Sequence, residues 1–187
     1  MTHVTRRTSS APPEDPRKTW DRPIRVQFVH GLESAPGSAK STYLDRFFDA
    51  ETPTMDTRDF EGAVAIQARH AEDFAPDVLV GSSFGGAVAL AMLQRGLYAG
   101  ATVLLCPAYR YFGVEGRVPE GVRVIIVHGL HDELVPVDDS RALATTGTPG
   151  FVDLVVVDDE HRLRTLLESD ALADIVRRSL RAAATDD

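Results

Sequence analysis

Four short, nearly unbroken apolar runs constrain most strongly what this chain can fold into: Val78–Val80, Ala101–Leu105, Val122–Val127 and Val152–Val157. A strand with one wet face alternates apolar and polar side chains. Strands this uniform must be covered on both faces, as in a parallel sheet with helices above and below. A fifth run, Ile24–Val29, ends at His30-Gly31, and a weak further strand is expected near Thr52–Met55. Helical spacing marks Ala63–Phe74, stopped by Pro76, then Ala87–Leu93, 138–145 and 163–181. Alternating strands and helices predict an α/β fold: about six parallel strands in a doubly wound sheet, in spatial order 2-1-3-4-5-6 with right-handed crossovers.

The first 23 residues stand apart. They carry four prolines, a Thr/Ser cluster and five basic residues against three acidic, with no apolar stretch of signal-peptide length. The reading is a disordered tail over 1–23 and one domain over 24–187. The whole chain of 187 residues carries 20 basic and 28 acidic groups, net −8, which argues against nucleic acid and anionic membranes as partners. No run reaches the ~18 residues of a membrane span. Cys106 is the only cysteine, which excludes an internal disulfide and fits a reducing, cytoplasmic location.

In sheets of this kind, chemistry gathers where loops leave the carboxyl ends of the strands. Gly81-Ser82-Ser83-Phe84-Gly85 lies between a predicted strand and a predicted helix, the setting in which G-x-S-x-G marks a nucleophile elbow. A serine raised on so tight a turn has a strained backbone, and glycines two residues to either side avoid collision with crossing chain. Serine needs a base, and the base a group to orient it. Asp132, in His128-Gly-Leu-His-Asp-Glu-Leu-Val-Pro136, follows the Val122–Val127 run by a few residues, and His161 follows Val152–Val157. His131 is the rival base, but the adjacent Asp132 cannot readily fold back to orient it. Asp138 and Asp139 read as helix caps, and Asp158 and Asp159 as solvated turn residues. Two oxyanion donors are expected, the N–H groups of Phe84 and of Leu32. His30 is expected to brace its own loop through its ring.

Taken together, His30-Gly31, the elbow Gly81–Gly85, the HGxxDxxVP segment His128–Pro136, and His161 resemble the α/β-hydrolase superfamily, over roughly residues 24–181. The opening Phe28–Lys40 is also similar to the small YqiA-type esterases. The resemblance orders the residues serine, acid, histidine, and implies ester or thioester hydrolysis of a small molecule through an acyl-enzyme, with no metal and no organic cofactor. It also implies that the chain lacks two amino-terminal strands and a sizeable cap domain. Where relatives insert a cap, residues 107–121 form a short stretch holding Tyr109, Tyr111 and Phe112, candidates for the wall of a shallow pocket suited to short acyl groups. Physiological substrate and oligomeric state stay open.

Rival readings fare less well. Gly31 to Lys40-Ser41 imitates a phosphate-binding loop, but Ser38-Ala39 separate Gly37 from Lys40, where G-x-x-x-x-G-K-[ST] needs adjacency. There is no G-x-G-x-x-G after the first strand and no H-E-x-x-H zinc motif. A binding module without catalysis would be expected to lack one of the three reactive residues. Cys106 follows an apolar strand and reads as core.

Overall fold

In the computed structural model, residues 22–181 are described. Most of the expected tail lies outside them. Arg22, its penultimate residue, is already engaged: its guanidinium donates to both carboxylate oxygens of Asp77, at 2.6 and 2.7 Å.

The elements in chain order are β1 (Arg25–Val29), α1 (Ala39–Phe47), β2 (Asp49–Glu51), α2 (Phe60–Phe74), β3 (Val78–Ser82), α3 (Phe84–Gln94), β4 (Ala101–Leu105), a 3-10 turn (Tyr109–Phe112), β5 (Val124–Gly129), α4 (Val137–Ala144), β6 (Val152–Val157), α5 (Arg164–Glu168) and α6 (Ala171–Ser179). Six strands form one parallel sheet in the order β2-β1-β3-β4-β5-β6, as anticipated.

Side chains alternate across each strand, so the uniform runs feed two separate cores. Leu79, Leu104, Val124 and Ile126 pack with α2, α3 and Leu143 of α4. Val78, Val80, Val103, Leu105, Ile125 and Val127 pack with Tyr43 and Leu44 of α1 and with α5 and α6. Helix α3 is buried at every position from Phe84 to Leu93, so it lacks a polar face. No helix among the described residues is long and apolar enough to cross a membrane.

Four expectations need correcting. The weak strand is Asp49–Glu51, not 52–55; it is a polar, three-residue edge strand, and short polar edges resist pairing with other chains. The expected helix 163–181 is two helices, broken at Ser169-Asp170, where Asp170 adopts φ 56°. Asp and Asn tolerate that left-handed conformation better than most residues. Asp138 and Asp139 do not cap α4. Pro136 occupies the cap, while the two aspartates fill the first turn and pair with Arg141 (2.7 Å) and Arg110 (2.8 Å). Asp159 is buried instead of solvated: its carboxylate accepts from the N–H groups of Glu160 and Leu166, joining the chain after β6 to α5. Helix α1, absent from the periodicity reading, buries only Ser41, Tyr43 and Leu44, too few apolar residues to mark a face.

Candidate active site

Between β3 and α3 the chain turns within one residue. Ser83 holds φ 56° and ψ −112°, a left-handed conformation costing on the order of 1–3 kcal/mol unless its surroundings enforce it. They do. Its N–H bonds to Leu105 O at 2.9 Å, and its carbonyl accepts from the N–H groups of Gly86, Ala87 and Ala108 at 3.0–3.1 Å. The flanking glycines are sterically required: a Cβ on Gly81 would lie 2.5 Å from Gly85 O, and one on Gly85 would collide with the Val29 carbonyl.

The fold brings Ser83, Asp132 and His161 together from the ends of three strands. Ser83 Oγ–H faces His161 Nε2 at 3.0 Å, and His161 Nδ1–H donates to Asp132 Oδ2 at 2.7 Å. A carboxylate only accepts, so the proton of neutral His161 sits on Nδ1 and the Nε2 lone pair faces the serine hydroxyl. The Asp132 side chain is fully buried and that of His161 is 17% exposed. Asp132 Oδ1 accepts from the N–H groups of Leu134 and Val135, both at 2.9 Å. Burial pushes the Asp132 carboxyl up, but contacts with His128 and His161 and these two N–H groups outweigh it and hold the group well below the usual carboxylate range.

The two loops are joined to each other. Sheet bonding continues past the strands, from Leu130 N–H to Val157 O at 2.8 Å and from His131 N–H to Asp159 O at 3.0 Å. His131, the rival base, donates from Nε2 to the exposed Asp158 at 2.7 Å. Lys40 Nζ donates to Arg162 O at 2.8 Å, linking α1 to the residue after His161.

Phe84 opens α3, where the first N–H groups of a helix have no partner within it. Across from it the loop after β1 lies against the serine: a Cβ on Gly31 would be 3.5 Å from Ser83 Cβ. Leu32 follows Gly31 and is half-exposed, and His30 Nδ1–H donates to Gly31 O at 2.9 Å.

The three aromatic candidates separate. Phe112 packs edge-on against Phe84 at 4.9 Å and stacks on Phe60 at 5.7 Å. Tyr111 is 64% exposed, its hydroxyl donating to Leu134 O at 3.0 Å. Tyr109 is buried and donates to Asp139 O of α4 at 3.1 Å. Leu32, Tyr111, Leu130 and Leu134, exposed large apolar side chains, stand on the loops that carry the site.

Among the described residues, one group of potential metal ligands lies close together: Cys106, His128 and Asp132. Its chemistry does not suit a metal ion. His128 Nε2 faces the Val135 carbonyl at 2.9 Å and must carry a proton there, and Nδ1 is taken by Ser140 Oγ at 2.7 Å. Burial pushes the Cys106 thiol up, away from the thiolate that would ligate or attack.

A family model described as the alpha/beta hydrolase family matches residues 11–186, and the chain belongs to that family. A protein from Xanthomonas campestris pv. campestris, assigned to the hydrolases of the alpha/beta superfamily, is 26% identical, with TM-score 0.66 over 83% of this chain and 98% of that one. A protein from Agrobacterium vitis S4, assigned as a hydrolase, shares the fold at 17% identity, with TM-score 0.66 over 91% of both chains. An alpha-beta serine hydrolase homologue from Coxiella burnetii is 18% identical, with TM-score 0.64 over 88% of each. No curated protein matches.

Proposed function

We propose that this hydrolase cleaves carboxylic esters of short acyl groups through an acyl-enzyme on Ser83. One observation carries the reading: the continuous contact from buried Asp132 through His161 to Ser83, at 2.7 and 3.0 Å. Ser83 Oγ attacks the acyl carbon while its proton passes to His161 Nε2. Asp132 steadies the resulting imidazolium, and the N–H groups of Phe84 and Leu32 receive the charge developing on the carbonyl oxygen. The alcohol leaves with the proton from His161. Water then repeats the sequence on the acyl-serine, restoring Ser83 and releasing the acid. Beyond the ester and water, these steps use only the chain's own groups.

Short acyl groups are favoured because residues 107–121 supply a turn in place of a lid. The side chains around it, Leu32, Tyr111, Leu130 and Leu134, are themselves about half to two-thirds exposed, an open rim with no cover over it among the described residues. Fluorophosphonate should label wild-type protein at Ser83 and leave Ser83→Ala unlabelled. Initial rates on p-nitrophenyl esters from acetate to palmitate, run beside acyl thioesters, should peak at the short esters. A maximum at palmitate removes the short-chain assignment, faster thioester turnover makes the protein a thioesterase, and undiminished turnover by Ser83→Ala removes the serine mechanism.

A further inference from the structure

His128 lies at the end of β5 with a fully buried side chain. Alternation puts it on the strand face of Val124 and Ile126, which pack into an apolar core, so a third aliphatic residue would be the ordinary occupant. A buried imidazole there must be hydrogen-bonded to offset its desolvation, and it is. Val135 O can only accept, so Nε2 carries the proton and donates to it at 2.9 Å. Neutral His128 then presents its Nδ1 lone pair to Ser140 Oγ–H of α4 at 2.7 Å. These two partners fix the tautomer without reference to the reaction.

The same Nε2 stands 3.2 Å from Asp132 Oδ2, the oxygen that receives the His161 proton donor. Val135, whose carbonyl His128 holds, gives its own N–H to Asp132 Oδ1. One ring therefore touches the carboxylate directly and also anchors the turn that grips its other oxygen. We propose that His128 is a positioning residue for the Ser83–His161–Asp132 system: from behind Asp132 it fixes the carboxylate's orientation and withdraws charge from the oxygen facing His161.

Other titratable groups bear on this carboxylate. Cys106, after β4, is the third member of the cluster and stays a neutral thiol. Lys40 of α1 bears on that thiol, with Asp159 and Arg162 as its own charged neighbours. Without the polar Nε2–H of His128 at 3.2 Å, Oδ2 turns more negative charge toward His161, which favours the imidazolium. The base then becomes available only at higher pH.

The inference rests on the serine-hydrolase reading for its consequence, but its test has an arm independent of turnover. In His128→Leu the acid limb of the pH profile for fluorophosphonate labelling should move up by about 0.5–1 pH unit. The low-field proton resonance of His161 Nδ1–H should also move further downfield. Ser140→Ala, which removes the group holding His128 Nδ1, should move both in the same direction but less. His128→Gln places an amide N–H near the Nε2 position and should bring both back toward wild type. A resonance unmoved in His128→Leu, or in Ser140→Ala where the leucine variant does not fold, overturns the proposal, as does a glutamine that fails to restore it. Absence of labelling in wild type would sink the serine mechanism, while the resonance still decides the role of His128.

Discussion

The Asp132 side chain collects more hydrogen bonds than any other side chain of the site, and they explain how a fully buried carboxylate stays ionised. Its two oxygens accept from His161 and from two backbone N–H groups, with His128 beside them. Replacing it with asparagine keeps the shape but can present an N–H to His161 Nδ1, turning the imidazole to the tautomer that cannot accept the serine proton. Asp132→Asn should therefore lower kcat about 10⁴-fold with a smaller change in KM, measured on a short p-nitrophenyl ester. A loss of less than tenfold would show that the carboxylate is not the orienting group. At this scale the sequence was informative where chemistry needs a rare residue in a fixed setting. Ser83 between its glycines, and Asp132 and His161 beyond strand ends, could all be picked out. The surroundings of His128 could not: it lies in the HGxxDxxVP segment, but its contacts with Val135 and Ser140 arise only when the loop after β5 folds back against α4.

Elements set the geometry that these residues need. The turn from β3 to α3 leaves no room for a side chain at Gly85, where a Cβ would meet the carbonyls of Val29 and His30. Gly85→Ala should destabilise the protein by about 3 kcal/mol or more, since overpacking against backbone cannot relax by rotamer change; urea unfolding followed by circular dichroism would measure it. A cost below about 1 kcal/mol would mean that β1 and α3 move apart easily. Helix α1 serves the site differently, through the bond from Lys40 to the Arg162 carbonyl. Burial pulls the Lys40 ammonium down, so the group offers little net stability. Lys40→Met should change the unfolding free energy by less than about 1 kcal/mol and lower kcat by about 2–10-fold, the worth of one hydrogen bond. Equal losses of stability and activity would instead make Lys40 a plain structural tie. The same lysine invites a phosphate-loop reading in sequence; in the fold it serves the chain beside His161.

Across the whole molecule, acid stability follows from carboxyls held low by their partners. Burial pushes Asp77 up, but hydrogen bonds from Arg22 and the Arg25 N–H outweigh it, and Asp132 is lowered in the same sense. A carboxyl with a lower proton affinity folded than unfolded stabilises the fold fully above its unfolded value of about 3.9. That contribution is lost as pH falls below it, because the unfolded chain then binds protons the folded one refuses. Denaturant unfolding should give a free energy insensitive to these two groups from pH 8 to 5 and a decline below pH 4, shallower in Asp77→Asn. An unchanged slope in that variant would show that Asp77 does not contribute. The class of the fold was legible in the sequence because apolar runs without alternation admit only a sheet covered on both faces. The elbow was legible because a strained serine demands glycine neighbours. Polar or short elements were not legible: α1 and β2 carry too few apolar residues to leave a period, and the break at Asp170 depends on a single backbone angle. Sequence alone thus determined the parallel sheet and the chemical types at its strand ends. Only the tertiary structure decided which of those groups meet, because hydrogen bonds of 2.7–3.0 Å between residues 29 and 78 positions apart depend on how three loops converge over the carboxyl ends of the strands.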